Sequence, residues 1–396
     1  MAYDPYTATL EESQLGMPTV GRSVTATLFV SPNGDDSDGS TWAKAYNTIQ
    51  GALDAASTDA DDCTAILIGP HATYYDIDTA GDPTWTGNYE IKNTHRRWSP
   101  IINEHNDATS IFKFTGKASL SDLAFSSSDN GVGGSVGGVI MTQPGYRIRR
   151  CGFNSESVTH AVKAIHIDGS AGLINGGIME DIEVRGTKTL TTGIYLDAGR
   201  INTFNRINVH NSLTAVQIVD ATSDSNYFKD VDIGNCTIGL DLDAGNGQHF
   251  DHINFHECTT NVDDEVGDHY WSNIHGQFPI DIEPDNTAGV NVACAAGADT
   301  WGTDTEVRAA VTSTKPFRIV GTHCEPDAGR IYQVRFSADS GSTFYDQLQM
   351  SDSRRESVAA PSGTEFIFNA GTRISASVRD ETGSGNVNIW LEIQEI

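Results

Sequence analysis

Carboxylates recur through the middle of the chain at spacings that would let them act together. Glu180, Asp181 and Glu183 in IMEDIEVRGT, Asp230 and Asp232 in YFKDVDIGNC, and Asp251 in HFDHINFHEC all fall at outward positions between the apolar residues of short strands. Glycoside hydrolysis needs two carboxyl groups roughly 5–10 Å apart, one with a raised pKa. Asp230 and Asp251 are the pair that such a reaction would use, and a solvated acidic face is the competing reading. A polysaccharide lyase would want a basic residue beside acidic metal ligands, and Arg206 near Asp181 and Asp230 is the basic residue in place.

Histidines offer a second chemistry. His249, His252 and His256 lie close together, with His210 and His275 one coil away on either side. His252 reads as outward-facing, and His256 with His210 as corner imidazoles that bind a metal, shuttle a proton or form a polar surface stack. Their spacing matches no standard zinc pattern. In SPNGDDSDG, Asp35, Asp36 and Asp38 either form a solvated acidic turn or offer hard oxygen ligands to a structural Ca²⁺, without the closing glutamate of an EF-hand loop. No other cofactor is expected. The six cysteines form neither a zinc motif nor a disulfide framework, and no GxSxG elbow accompanies the many Ser, His and Asp residues.

What would position these groups is a repeat. The apolar triplet Phe204, Ile207, Val209 in NTFNRINVHN recurs as Met179, Ile182, Val184, as Phe228, Val231, Ile233 and as Phe250, Ile253, Phe255. Upstream copies are Leu120, Leu123, Phe125 and Ile148, Cys151, Phe153, and Trp271 with Ile274 is a decayed last copy. A spacing of three then two is neither a helical stripe nor an unbroken strand alternation. Successive copies start 28, 31, 25, 24, 22 and 21 residues apart, the length of one solenoid coil. Between them run short alternating strands, Ile165 and Ile167, Ile194 and Leu196, Val216 and Ile218, Leu240 and Leu242, closed by Asp168, Asp197, Asp220 and Asp243.

The pattern predicts an all-β chain whose main body is a right-handed parallel β-helix. Coils stacked about 4.8 Å apart would line Phe204, Phe228 and Phe250 into one interior column and Ile182, Ile207, Val231 and Ile253 into another. Thr187, Ser212, Cys236 and Cys258 would form a corner ladder of small residues, with Cys236 and Cys258 either stacked thiols or a disulfide. Residues 1–26 read as an N-terminal arm. A helix carrying Ile49, Leu53 and Ala56 on one face, followed by a strand from Ala65 to Ile68, would cap the open end of the core.

Composition limits the partners. The formal net charge is -28, with 36 Asp against 17 Glu and 17 Arg against 8 Lys. Such a surface stays soluble in concentrated salt, and it resembles the proteins of extremely halophilic archaea and their viruses, with an ordinary acidic extracellular protein as the alternative. It offers phosphates no basic patch, which argues against nucleic acid. Runs of about 20 apolar residues are missing, so no membrane insertion is expected, and the start MAYDPYTATL does not read as a signal peptide.

The order FVSPNG, DGSTWAKAY, TIQGALDAA, strand, GP, coils resembles the N-terminal part of pectate-lyase-like parallel β-helix proteins, including viral tailspike and fibre proteins. GIYLD and NTFNRINVHN are similar to coil repeats of that superfamily. The likeness runs over residues 28–285 and is specific for fold, since adhesins, lyases and hydrolases share the scaffold. It implies a homo-oligomer, commonly a trimer, with a pentamer required at a five-fold vertex.

The expected domains are therefore the arm 1–26, the capped β-helix 27–285 and a β-sandwich 286–396 of about eight short strands. YQVRFSADSGSTFYD in the last region resembles a hairpin of carbohydrate-binding-like and virion appendage sandwiches. Two function classes follow. One is a virion surface protein, a spike, turret or fibre on capsid or tail, that contacts other virion proteins and attaches to a host-surface glycan or glycoprotein. The other is a polysaccharide-degrading lyase or hydrolase on the same scaffold; the sequence leans away from an enzyme.

Overall fold

In the computed structural model the chain divides into two compact units, residues 1–260 and 261–396. The structure describes residues 23–71, 74–77, 84–94, 101–104, 110–127, 136–155, 162–188, 191–266, 269–276, 280–283, 289–309, 316–327, 331–338, 342–350, 356–359, 367–369 and 371–395. Most of the expected arm, residues 1–22, lies outside the described residues.

The first unit is a parallel β-helix. On one face, Ala26–Val30, Thr64–Ile68, Tyr89–Asn93, Ala118–Ser121, Arg147–Arg149, Ile178–Arg185, Thr203–His210, Tyr227–Gly234 and His249–His256 pair in that order, each parallel to the next. A second face pairs Thr84–Trp85, Ser110–Phe114, Val136–Met141, Val162–Asp168, Thr191–Asp197, Thr214–Ile218 and Ile238–Leu242 in the same way. Phe204, Phe228 and Phe250 stack as one column, and Ile182, Ile207, Val231 and Ile253 beside them are at most 2 % exposed.

The three-then-two spacing has a backbone cause. Asp122, Arg150, Asp181, Arg206, Asp230 and His252 all have φ between 51° and 61°, in the left-handed region. Each stands between the first and second inward residue of its copy. One left-handed residue in a strand sends two successive side chains outward and bends the chain, so the next inward residue comes three positions later instead of two. In the earlier coils the same bend separates two short strands, Arg147–Arg149 and Gly152–Ser155.

Left-handed backbone costs an ordinary L-residue roughly 1–2 kcal/mol, and Asp, Asn and His tolerate it best. Arg150 and Arg206 are the unexpected occupants. Each makes two contacts to the left-handed aspartate one coil earlier. Arg150 reaches Asp122 at 2.6 and 2.8 Å, and Arg206 reaches Asp181 at 2.6 and 3.2 Å. The column thus alternates in charge, Asp, Arg, Asp, Arg, Asp.

At the next corner Ser212 and Cys236 donate to the carbonyls of His210 and Gly234 at 3.4 and 3.3 Å, and Cys258 to His256 at 3.7 Å. The Thr187 hydroxyl contacts that of Thr191. All six cysteines are free thiols. A buried amide ladder, Asn202, Asn226 and Gln248, fills the turn before the eight-residue strands.

The helix Ile49–Ala55 starts at Thr48, whose hydroxyl accepts from the Gly51 N–H at 3.0 Å. It buries Ile49, Ala52 and Leu53 and lies against Ala26–Val30, the terminal strand of its sheet. Ala56 is buried as well, but as the residue that ends the helix.

The second unit holds two antiparallel sheets. One is built on Asn386–Glu395, which pairs with Phe317–Pro326, Val290–Ala293 and Ile280–Glu283; the other orders Thr305–Arg308, Ile374–Asp380, Tyr332–Ala338 and Ser342–Met350. Val387, Ile389, Leu391 and Ile393 of the first share one core with Val334, Phe336, Ile374 and Val378 of the second. Ile280–Glu283, which the sequence pattern groups with the coils, is thus a strand of this sheet.

Candidate functional site

Four successive strands, Ile178–Arg185, Thr203–His210, Tyr227–Gly234 and His249–His256, present the outer face that carries the sequence candidates. Their register sets outward side chains in straight columns. One column is Glu180, Asn205, Lys229 and Asp251; a second is Glu183, Asn208, Asp232 and Asn254; a third is Arg185, His210, Gly234 and His256.

Arg206, the basic residue proposed for a lyase, is committed to ion pairs. Besides Asp181 it contacts Glu180 Oε1 at 2.5 Å, and Arg149 reaches the other Glu180 oxygen at 2.5 Å. Hydrogen bonding from Arg206 holds the Glu180 carboxyl below its usual range, against burial and with help from Arg149. This clamp neutralises both acids.

Asp230 and Asp251 stand in different columns. Asp230 is exposed on a left-handed bend, opposite neither Asp251 nor Glu180 in register, and makes no hydrogen bond or ion pair among the described residues. Asp251 is the register partner of Lys229 and lies 3.0 Å from His252 Nδ1. His252 faces outward, as its position implies.

The imidazoles converge where the sequence pointed, but in a different register. His210 and His256 are two coils apart, not one, and the residue between them in the column is Gly234. Their rings lie 5.0 Å apart. Both Nε2 atoms point at Asp232 Oδ2 from the intervening coil, at 3.1 Å from His210 and 3.2 Å from His256. Asn254 donates to the other Asp232 oxygen at 2.6 Å, and Asn208 Oδ1 contacts His210 Nε2. Burial acts to raise the Asp232 carboxyl, but hydrogen bonds from Asn254 and His256 and the nearby imidazoles hold it below its usual value. The three donor atoms lie within 4.8 Å of one another.

A similar grouping sits on the second face, where donor atoms of His166, Asp168 and Asp197 also lie within 4.8 Å. There Lys163, lying over the Tyr195 ring at 3.3 Å, supplies positive charge to both aspartates. Asp197 is raised above the usual carboxylate value by burial and by Asp168 and Asp220 in the same ladder.

Asp35, Asp36 and Asp38 are drawn into turn hydrogen bonds. Asp35 accepts from Ser37, Asp36 from the Asn47 N–H, and Asp38 from Ser40 and from Lys44 at 3.0 Å. Hydrogen bonds from Ser40, and then Lys44, lower Asp38 to about 2.

Sequence reasoning placed Asp232 on the outer face without joining it to the histidines. The signal was present: His210, Gly234 and His256 occupy one repeat position, with Asp232 two residues before the glycine. The buried amides Asn202, Asn226 and Gln248 also share a repeat position, two residues before the first inward aromatic.

No protein-family model matches the chain, and no curated protein matches it. Among solved structures, a Pantoea stewartii glycan biofilm modifying enzyme with a bacteriophage tailspike-like parallel β-helix fold aligns at 9 % identity, with a TM-score of 0.29, over 88 % of this chain and 58 % of its own. The enzymatically active domain of a bacteriophage CBA120 tailspike protein aligns at 8 % identity, with a TM-score of 0.20, over 85 % of this chain and 62 % of its own. The chain therefore spans less than two thirds of the length of either.

Proposed function

We propose that this chain is a surface adhesin of a virus particle whose outer β-helix face binds a host-surface glycan or glycoprotein. The observation that carries the reading is the face itself. Glu183, Asn208, Asp232 and Asn254, with Asn205, Lys229 and Asp251 alongside, form rows of hydrogen-bonding side chains on a rigid ladder repeating about every 4.8 Å. An extended polysaccharide offers hydroxyls along a line, and a ladder fixed in place meets them without the entropy cost of ordering loops. Tyr227, 37 % exposed at the edge of the face and beside the His249 ring, adds an apolar surface for a sugar ring. The acidic, Lys-poor composition supports work in concentrated salt, and the chain acts as a homo-oligomer, a trimer in our reading.

The test is binding to intact host cells and to their purified surface polysaccharide, with the polysaccharide sized before and after. Retention without shortening is expected, and Asn208→Ala with Asn254→Ala weakens it. Shortened chains would establish a glycan-cleaving enzyme instead. Absence of retention on cells and polysaccharide alike overturns the adhesin reading. Electron microscopy of particles carrying labelled protein gives the location and the copy number.

A further inference from the structure

We propose that His210, Asp232 and His256 form a binding site for one divalent cation of the zinc class, which staples three consecutive coils of the β-helix. Zinc is held by imidazole nitrogens and carboxylate oxygens at about 2.0–2.2 Å, which puts neighbouring ligand atoms of a tetrahedral site roughly 3.3 Å apart. The two nitrogen-to-oxygen separations here are 3.1 and 3.2 Å. An ion at the centre would bind these same Nε2 and Oδ2 atoms, with each imidazole neutral and its proton on Nδ1. Two imidazoles and one carboxylate leave a fourth position for water, and Asn208 Oδ1 lies beside it as a neutral oxygen donor.

Two further features fit a built site. Asn254 holds the non-ligating oxygen of Asp232 at 2.6 Å, the kind of outer contact that orients a ligating carboxylate. Gly234 makes the convergence possible. A Cβ at that position would lie 2.0 Å from His256 Cε1, 2.5 Å from its Nε2 and 2.6 Å from His210 Nδ1. The glycine φ is not in the left-handed region, so the space above it, not the backbone, demands the missing side chain. The side chains of His210, Asp232 and His256 are 27 %, 38 % and 41 % exposed, which gives an ion access from solvent. Because the three ligands come from three coils, binding adds a further tie across these strands, and a ligand that binds only the folded state stabilises it. The inference is independent of whether the face binds a glycan.

The experiment is calorimetric titration of the chelator-stripped full chain with Zn²⁺, with Co²⁺ absorption as a second readout. One equivalent is expected to bind at micromolar or lower concentration and to raise the melting temperature. His210→Gln, His256→Gln and Asp232→Asn should each weaken Zn²⁺ binding at least tenfold. Gly234→Ala should do so with all three ligands kept, while His252→Gln, an exposed histidine nearby, should leave it unchanged. Circular dichroism of each variant checks its fold, and if Gly234→Ala fails to fold, the three ligand variants decide. Absence of stoichiometric binding, or binding indifferent to His210→Gln and His256→Gln, overturns the proposal.

Discussion

The ring of Phe204 lies flat on that of Phe228, with centroids 4.4 Å apart and planes 6° from parallel. Phe250 continues the stack at 5.1 Å and 18°. Phe228 therefore has both faces covered, and its truncation opens a cavity that neither neighbour can close without leaving its own rung. Phe228→Ala is expected to cost about 4 kcal/mol and Phe228→Leu less than half of that, because leucine keeps most of the volume. Urea denaturation measures both. A loss below about 1 kcal/mol for the alanine variant would mean that the column is not a packed core.

His166 gives the fold a defined acid sensitivity. Burial, and then the positive charge of Lys163, push its imidazole down to about 4, with Lys113 adding to that effect and Asp168 opposing it. Its buried Nε2 has no hydrogen-bond partner among the described residues. A base depressed in this way stays neutral in the folded chain while the unfolded chain takes up a proton. Its contribution is therefore complete above about pH 6.5, shrinks as pH falls, and is gone near pH 4, an effect on the order of 2 kcal/mol. His166→Phe, which keeps the ring beside Tyr195, should narrow the difference in melting temperature between pH 7.5 and pH 4.5.

Two cysteines should differ sharply in reactivity. The neighbouring Cys236 thiol lowers the Cys258 thiol to about 7, against partial burial and helped by His256 and Lys188, while the Cys236 thiol is raised. Burial pushes Cys151 up to about 12. Iodoacetamide should label Cys258 with a midpoint near pH 7 and leave Cys151 untouched in the folded chain. Cys236→Ala should slow Cys258 labelling at pH 7 by about tenfold, and mass spectrometry of the intact protein counts the adducts. Equal labelling with and without Cys236 would remove the thiol pairing as the cause.

The β-helix was legible because its core is periodic. Phe204, Phe228 and Phe250 differ only in coil number, so their repeat reports stacking directly, and the amphipathic segment around Leu53 reports the cap. The left-handed bends were harder to read because Asp, Arg and His share the position, and only the alternation of Asp122, Arg150, Asp181 and Arg206 explains how arginine is tolerated there. The meeting of His210 with His256 was half legible. It depends on a side chain that is missing at Gly234, and hydrophobic patterning gives no weight to a glycine that lies between two histidines only across coils. Asp230 and Asp251 lie on adjacent coils, as their repeat positions imply, and register sets Lys229 directly opposite Asp251.

The buried amide ladder distinguishes shape from hydrogen bonding. Asn226 Oδ1 accepts from the backbone N–H and the amide of Asn202, both at 3.0 Å, while its own amide donates to Gly199 O at 2.7 Å and Gln248 Oε1 at 3.1 Å. Asn202, Asn226 and Gln248 are at most 1 % exposed, so water cannot replace a lost partner. Asn226→Ala leaves the Asn202 N–H and the Gly199 carbonyl without that partner and should cost about 3 kcal/mol. Asn226→Asp keeps the size and the accepting oxygen but loses both donors and buries a charge facing two carbonyl-type oxygens. It should be the more damaging change at pH 7. Its deficit should shrink below about pH 5, where a protonated carboxyl recovers one donor. Denaturation of both variants at pH 7 and pH 4.5, each referred to the unaltered chain at the same pH, tests this order, and an aspartate variant no worse than alanine at pH 7 would show that water enters the ladder.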